Sequence, residues 1–427
     1  MTSDPLADNA FVWIWLAGAT EPVVAGQLTR HADRFIFNYG RSYLERDDAI
    51  PIYTPELPLR RGAINPADGL QLASALRDAA PDAWGRRVIL NRLVGAKGKD
   101  ADLGTPDELT YLLQSGSDRI GALDFQASPT HYVARAAQAA SLDELMDAAA
   151  RVEKGIPLTP EPDQALFHGS SLGGARPKAM ILDEDRKLIA KFSSSTDTYN
   201  VVKAEYVAMR LARKVGLNVA AVQFLRTSGR DVLLVERFDR SRTQAGWHRR
   251  PMVSALTLSG LDELMARYAS YEDLTDIIRQ RFHAPQATLR ELFGRLVFNV
   301  ISGNTDDHAR NHAAFWDGKQ LELTPAYDIC PQNRAGNEAS QAMLIVGDSR
   351  MSNLAVCLRA ASKFLLSEAD AVQLIVNQLE IVRENWTRIC DEAELSKVDR
   401  GLFWGRMFLN PYIFEDAPNA IRQQAQA

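Results

Sequence analysis

Apolar residues recur at helical spacing most clearly in the second half of the chain. Leu289, Leu292, Phe293, Leu296, Val297, Val300 and Ile301 predict a helix over residues 287–302, and a second strong period runs through 367–393. After residue 250 the chain reads as predominantly helical. Upstream the pattern changes. Residues 179–182 and 188–192 are short apolar runs around the turn DEDRK, as in a hairpin, and 222–225 and 232–236 surround the turn TSGRD in the same way. Between them Val202, Tyr206, Met209, Leu211, Ala212 and Val215 fall largely on one helical face over 200–215, and Gly216 sits where a C-terminal cap is expected.

The first 125 residues mix β-type runs (11–16, 35–39) with a helical stretch over 68–93, which predicts a small α+β domain. It ends in DRIGALDF, where Gly121 interrupts a β-like stretch as a bulge or close contact would. SLDELMDAAARVEK opens with a serine three residues before a glutamate and has apolar residues at 142, 145, 148, 149 and 152, a capping box leading into an amphipathic helix. The polar, proline-bearing GIPLTPEPDQA that follows reads as a linker. The expected division is therefore 1–130, 155–240 and 241–427.

Composition narrows the class. A chain of 427 residues at 46% hydrophobic and 24% charged can bury a sizeable core. Its net charge of −5 gives no general attraction for phosphate backbones, so nucleic-acid contact needs a local patch or a basic partner. Cys330, Cys357 and Cys390 are too scattered for a disulfide framework or a CxxC metal site. The apolar patch at 11–17 follows acids rather than Lys or Arg, and no run approaches the roughly 20 residues needed to span a bilayer. A soluble, cytoplasmic protein is expected.

The most informative segment is GNTDDHARNH, residues 303–312, directly after the apolar helix. Phosphoryl transfer needs an acid to orient the attacking hydroxyl and a side-chain oxygen to hold Mg²⁺. Asp306 and Asn311, five residues apart, supply that pair. A solvated, capping-rich turn is the competing reading. Downstream, AAFWDGKQ reads as a strand and an Asp-Gly turn, and LELTPAYDI as a strand that ends in Asp328, beside the same loop. Upstream, GSSLGGARPK (169–178) could let backbone N–H groups approach phosphates, with Arg176 and Lys178 adding charge, although a flexible linker is the alternative. Lys191 ends an apolar strand and needs an anionic partner if it faces inward. Glu205 is the natural one. Glu236 and Phe238, in VERFDR, stand where backbone groups and an aromatic could meet an adenine, or where Phe238 is simply core.

The order hairpin, helix, hairpin is that of a protein kinase N-terminal lobe. Taken together, SSLGGARPKA, LIAKF, VERFDR, GNTDDHARN and LTPAYDI, with APDAWGRR and DRIGALDF before them, resemble the HipA family of bacterial toxin kinases over nearly the whole chain. The resemblance implies an α+β, two-lobed protein-kinase-like fold, with a small N-terminal α+β domain and a mostly helical C-terminal lobe. It implies ATP- and Mg²⁺-dependent phosphorylation of a protein serine or threonine, with an aminoacyl-tRNA synthetase as substrate class and growth arrest and persistence as outcome. Asp306 would be the base and Asn311 and Asp328 the metal ligands. Ser171, Gly173, Gly174, Ala175, Arg176, Lys178, Lys191, Glu236, Phe238, His308 and Arg310 would form the nucleotide site, with Glu205 in a structural ion pair. Ser171, or Ser170 beside it, would be autophosphorylated. The implied partner is a helix-turn-helix, HipB-like antitoxin that supplies most operator DNA binding. Asp307 stands where glycine is frequent and competes with Asp306 for the base role, although the spacing to Asn311 favours Asp306. A kinase-fold regulator that binds nucleotide or antitoxin with weak transfer activity is the second reading.

Overall fold

The structure is a computed structural model and describes residues 7–97, 106–135, 140–158, 166, 171, 174–334 and 336–425. The chain divides into two compact units, each assembled from separate stretches: one from 1–196, 226–253 and 315–319, the other from 197–225, 254–314 and 320–427.

The first unit opens with an antiparallel sheet of β1 (Asn9–Ile14), β2 (Val23–His31), β3 (Arg34–Tyr39) and β4 (Leu123–Gln126) in the order β3-β2-β1-β4. Period-two burial of Phe35, Phe37 and Tyr39 on β3 shows why those residues form a half-buried strand. The helix expected over 68–93 is broken into Ser74–Arg77 and Ala83–Lys97. Pro81 lies between them, and its lack of an N–H and its restriction of the preceding residue explain the break. The capping box is formed by Ser141 and Glu144 at the head of the helix Leu142–Glu153.

Two hairpins follow, β5 (Lys178–Asp183) with β6 (Arg186–Phe192), and β7 (Val222–Thr227) with β8 (Arg230–Glu236). β6 pairs antiparallel with both β5 and β8. Ala179, Leu188, Ala190, Phe192, Val232 and Leu234 share one sheet face and form a single core with Trp84 and Val88 of the N-terminal helix and Leu145, Ala149 and Val152 of the capped helix. Trp84, wholly buried, anchors it and donates through Nε1 to the Lys178 carbonyl at 3.0 Å.

The second unit is mostly helical. The helix Val201–Lys214 starts at an Asn200 cap, and Gly216 follows it at φ 91°. The helix Pro285–Ser302 is apolar nearly all round, with Leu289, Phe293, Leu296, Val297, Phe298, Val300 and Ile301 fully buried, as expected of a central core helix. The helix Glu368–Glu392 packs against Val201–Lys214. Among the described residues no helix is long and apolar enough to cross a membrane.

Candidate active site

The loop expected at 303–312 starts where the central helix ends, at Gly303. Gly303 has φ 70°, and a Cβ there would collide with the Met407 carbonyl oxygen, so glycine is needed both for the backbone conformation and for the close approach. The loop is then tied on several sides: Gln332 N donates to Gly303 O at 3.0 Å, Ala342 N to Thr305 O at 3.1 Å, and Asn304 Nδ2 to Asn299 Oδ1 at 3.0 Å.

Within this frame the two adjacent acids part company. Asp306 is exposed, whereas Asp307 is 2% exposed. Both oxygens of Asp307 are engaged: Oδ1 lies 2.9 Å from His312 Nε2, and Oδ2 accepts from the Tyr271 hydroxyl. Burial would raise its pKa, but the His312 ring and the hydrogen bonds from His312 and Tyr271 outweigh that and hold it below the ordinary carboxylate value. Asp306 moves the other way. The neighbouring protein displaces water around its carboxyl, and repulsion from Asp328 and Asp307 adds to that effect, overcoming attraction from His308, so its pKa is raised. An accessible carboxylate shifted towards neutrality is the better proton acceptor of the pair.

Asn311, 9% exposed, donates through Nδ2 to the Asp306 carbonyl at 3.2 Å, which directs its amide oxygen elsewhere. Asp328 follows an extended segment that bridges Val219 through Ala326. Its strand is registered by Ala326 N donating to Asn218 O at 2.7 Å and Ala220 N to Ala326 O at 2.9 Å. The Tyr327 hydroxyl then donates to the Arg310 carbonyl at 2.8 Å, joining this strand to the loop. Asp328 itself has φ 59°, a left-handed conformation that costs an L-residue roughly 1–2 kcal/mol and that functional sites often retain. An amide oxygen and a carboxylate near a second carboxylate are hard donors of the kind Mg²⁺ accepts, so these residues fit that ion. His308 is half-buried, and no described group bonds its buried Nδ1. Arg310 pairs with Glu263 at 2.8 Å.

Of the residues expected in the nucleotide site, Ser171, Gly174, Ala175, Arg176, Lys178, Lys191, Glu236 and Phe238 lie in the first unit. Lys178 and Lys191 stand opposite each other on β5 and β6, and Leu233 is opposite Lys191 on β8. All three face away from the core formed by Ala179, Ala190 and Leu234. Two ammonium groups facing each other on one sheet face suit an anion. Gly174 has φ 96° and its position is crowded by the Lys178 amine. Asp82, Trp84 and Arg87 of APDAWGRR hold this segment: Gly174 N donates to Asp82 Oδ2 at 2.7 Å, Trp84 N to Gly174 O at 3.2 Å, and Arg87 to Ala175 O at 2.7 Å. Arg176 is half-buried. Ser171, 1% exposed, donates to the Asp118 carbonyl at 3.2 Å. Ser170 and Gly173 lie outside the described residues. Glu205 is 2% exposed on the helix Val201–Lys214 and belongs to the second unit.

Phe238 stacks edge-on against Phe315 at 5.9 Å, and Glu236 ends β8 half-buried opposite Leu188. Their charged neighbours have a role that pattern reading missed. Arg237 and Arg240 both grip Asp239, and both reach the Asp118 carboxylate and the Arg119 carbonyl. Gly121 N donates to Asp239 Oδ2 at 2.8 Å. VERFDR and DRIGALDF are thus one buried ion network, and Gly121, at φ 73°, is a close contact as its sequence context suggested. Two segments rich in both signs of charge and flanked by β runs were the only signal of it.

Comparison with known proteins agrees with this architecture. Residues 14–126 match the HipA N-terminal domain and residues 170–386 the HipA-like C-terminal domain. A protein of Sinorhizobium fredii named as a kinase, Y4mE, is 24% identical over 72% of this chain and 74% of its own length. The serine/threonine-protein kinase toxin HipA of Shewanella oneidensis is 24% identical over 42% of this chain, which spans only 47% of that protein. A Haemophilus influenzae protein named as a kinase is 24% identical over 38% of this chain and 52% of its own. In fold, the chain matches Shewanella oneidensis HipA, solved with HipB and its operator DNA, at a TM-score of 0.66 and 18% identity, over 97% of this chain and 99% of that one. The fold is accordingly two-lobed, α+β and kinase-like, and the chain belongs to the HipA family.

Proposed function

We propose that this chain phosphorylates a protein serine or threonine, using ATP and Mg²⁺, as the toxin of a toxin–antitoxin pair. The observation that carries the reading is the split between the two acids of one loop: Asp307 is buried and engaged on both oxygens, while Asp306 is exposed and raised in pKa. When bound, Mg²⁺-ATP supplies the transferable phosphoryl group and the charge neutralisation. Asp306 would accept the proton of the attacking hydroxyl, and the Asn311 amide oxygen and the Asp328 carboxylate would hold the metal. Lys191 and Lys178 would attract the nucleotide phosphates, His308 and Arg310 would add further contacts, and Glu236 and Phe238 would meet the adenine. Ser171, or Ser170 beside it, is the residue of the Gly-rich segment that would be modified, and for Ser171 leaving its bond to the Asp118 carbonyl would be part of that event.

An aminoacyl-tRNA synthetase is the substrate class we assign, and a helix-turn-helix, HipB-like antitoxin the partner through which operator DNA is bound. The kinase reading is tested with labelled ATP and Mg²⁺. Wild-type protein should transfer label to itself or to a synthetase, and Asp306→Ala should lose transfer and toxicity while ATP affinity stays within a few fold. Full toxicity in Asp306→Ala would remove the assigned base.

A further inference from the structure

Asp307 has no part in the chemistry above, yet it is the most completely enclosed acid of the loop. Three contacts converge on it and its partner. His312 Nε2 lies 2.9 Å from Oδ1, the Tyr271 hydroxyl donates to Oδ2, and the same hydroxyl lies 3.3 Å from His312 Nε2. All three side chains are 5% exposed or less. Tyr271 is the first residue of the helix Tyr271–Arg281, where the backbone is pinned by its N–H on the Leu344 carbonyl. His312 is pinned too, because its carbonyl accepts from Ala255 N at 2.7 Å.

The pairing has a simple geometry. Asp306 and Asn311 are joined by the amide-to-carbonyl bond at 3.2 Å, and the next residue along on each side, Asp307 and His312, is joined by the carboxylate-to-imidazole bond. The loop is therefore closed twice, once beside the reacting groups and once in the core beneath them. With its Nε2 facing a carboxylate, the His312 ring carries a proton there, and no described group bonds its buried Nδ1. The ring is thus in polar contact with Asp307 and Tyr271.

We propose that Asp307 is a positioning residue, which with His312 and Tyr271 clamps the underside of the 306–312 loop and fixes the separation between the Asp306 carboxylate and the Asn311 amide. The inference rests on the kinase reading. It explains why two adjacent acids occur here. The outer one reacts, and the inner one anchors the turn that a glycine would otherwise leave free.

The test compares full-length wild type with His312→Phe, which removes the donor, and His312→Gln, which returns an N–H at the place of Nε2. Asp307→Asn and Asp306→Ala are run beside them. Label transfer from ATP to the chain itself or to casein is measured at saturating nucleotide, together with ATP affinity, the Mg²⁺ concentration at half-maximal rate, and thermal unfolding. Misplacing a reacting group by about an ångström costs up to about 100-fold in rate. His312→Phe and Asp307→Asn should therefore lose about 10- to 100-fold in kcat and need several-fold more Mg²⁺, with ATP affinity within about twofold, and His312→Gln should recover most of the loss. Equal kcat and Mg²⁺ dependence per folded molecule in wild type and His312→Phe, whatever the unfolding temperatures, would overturn the clamp. If Asp307→Asn fails to fold, the His312 pair still decides. Should Asp306→Ala transfer label normally, the kinase reading itself has failed, which is a separate outcome from normal transfer in His312→Phe alone.

Discussion

The buried carboxylates of the first unit and the carboxylates of the 303–312 loop in the second are treated in opposite ways. In the first unit Asp124 is wholly buried and accepts from several side chains, among them Arg119 at 2.8 Å, Arg135 at 2.7 Å, Gln126 at 2.9 Å and Tyr132 at 3.0 Å. Nearby, Asp118 is shared by Arg237, Arg240 and Lys187. Its carboxyl is held far below the ordinary value, since the combined pull of these cations exceeds the penalty of burial. Lys187 shares its acid with two buried arginines, so burial and their repulsion push its amine down to about 8 despite the attraction of Asp118. In the 303–312 loop of the second unit Asp307 is closed off, and Asp306 next to it is left in reach of solvent with its pKa raised. A fully satisfied network fixes structure. A network that stops one residue short leaves a group whose needs a ligand can meet, and that contrast separates scaffold from chemistry more sharply than charge content does.

The strongest way to break the comparison is at Asp124. Asp124→Ala would strand the fully buried Arg119 guanidinium, and removing one member of a buried pair costs about 3–5 kcal/mol. Chemical denaturation should show the first unit unfolding at markedly lower denaturant, while transfer per folded molecule is retained. Acid titration sharpens the point. The folded pKa of Asp124 is lowered because Arg119 and Arg135 overcome burial. Its stabilisation is therefore complete above the unfolded value near about 4 and is lost as pH falls through the lower folded value. Wild type should lose stability over that acid range, and Asp124→Ala should lack this component. An unchanged midpoint in the variant would mean that the network contributes no stability.

Much of the architecture was legible because local chemistry and tertiary placement agree. The capping box at Ser141, the glycine after Lys214 and the apolar period of 287–302 each produced the element expected. The candidate loop was legible for a different reason: a run of small or polar residues after a buried helix has no packing role of its own to suggest. The break at Pro81 was overlooked because apolar spacing continues on both sides of it. The ion networks were hidden because Arg237 and Asp118 are 119 positions apart, and nothing in either segment names its partner. The same applies to Tyr271 and Asp307, whereas His312, five residues from Asp307, repeats the spacing of Asp306 and Asn311 and could have been read.

A smaller effect on stability, with a large one on chemistry, is expected at Asp328. Its left-handed φ of 59° is a conformation that glycine adopts freely. Asp328→Gly removes that strain but gives the unfolded chain more freedom, so stability should change by less than about 1 kcal/mol. Label transfer should fall below detection at any Mg²⁺ concentration. A variant that is equally stable and still active would show that the strained acid is an ordinary turn residue.

The smallest effect on folding belongs to the rim. Glu263 and Arg310 form an ion pair at 2.8 Å, with the Glu263 side chain 47% exposed. Exposed pairs contribute about 0–1 kcal/mol and are screened by salt, so Glu263→Gln should leave the unfolding temperature nearly unchanged. Arg310 is also fixed through its carbonyl to the Tyr327 hydroxyl, so the loop itself should stay in place. What Glu263→Gln changes is the competition for the guanidinium. If Arg310 contacts nucleotide phosphate, releasing it from Glu263 should tighten ATP binding by about two- to threefold at low salt, with the difference fading as ionic strength rises. Identical ATP affinities at every salt concentration would take Arg310 out of the nucleotide site.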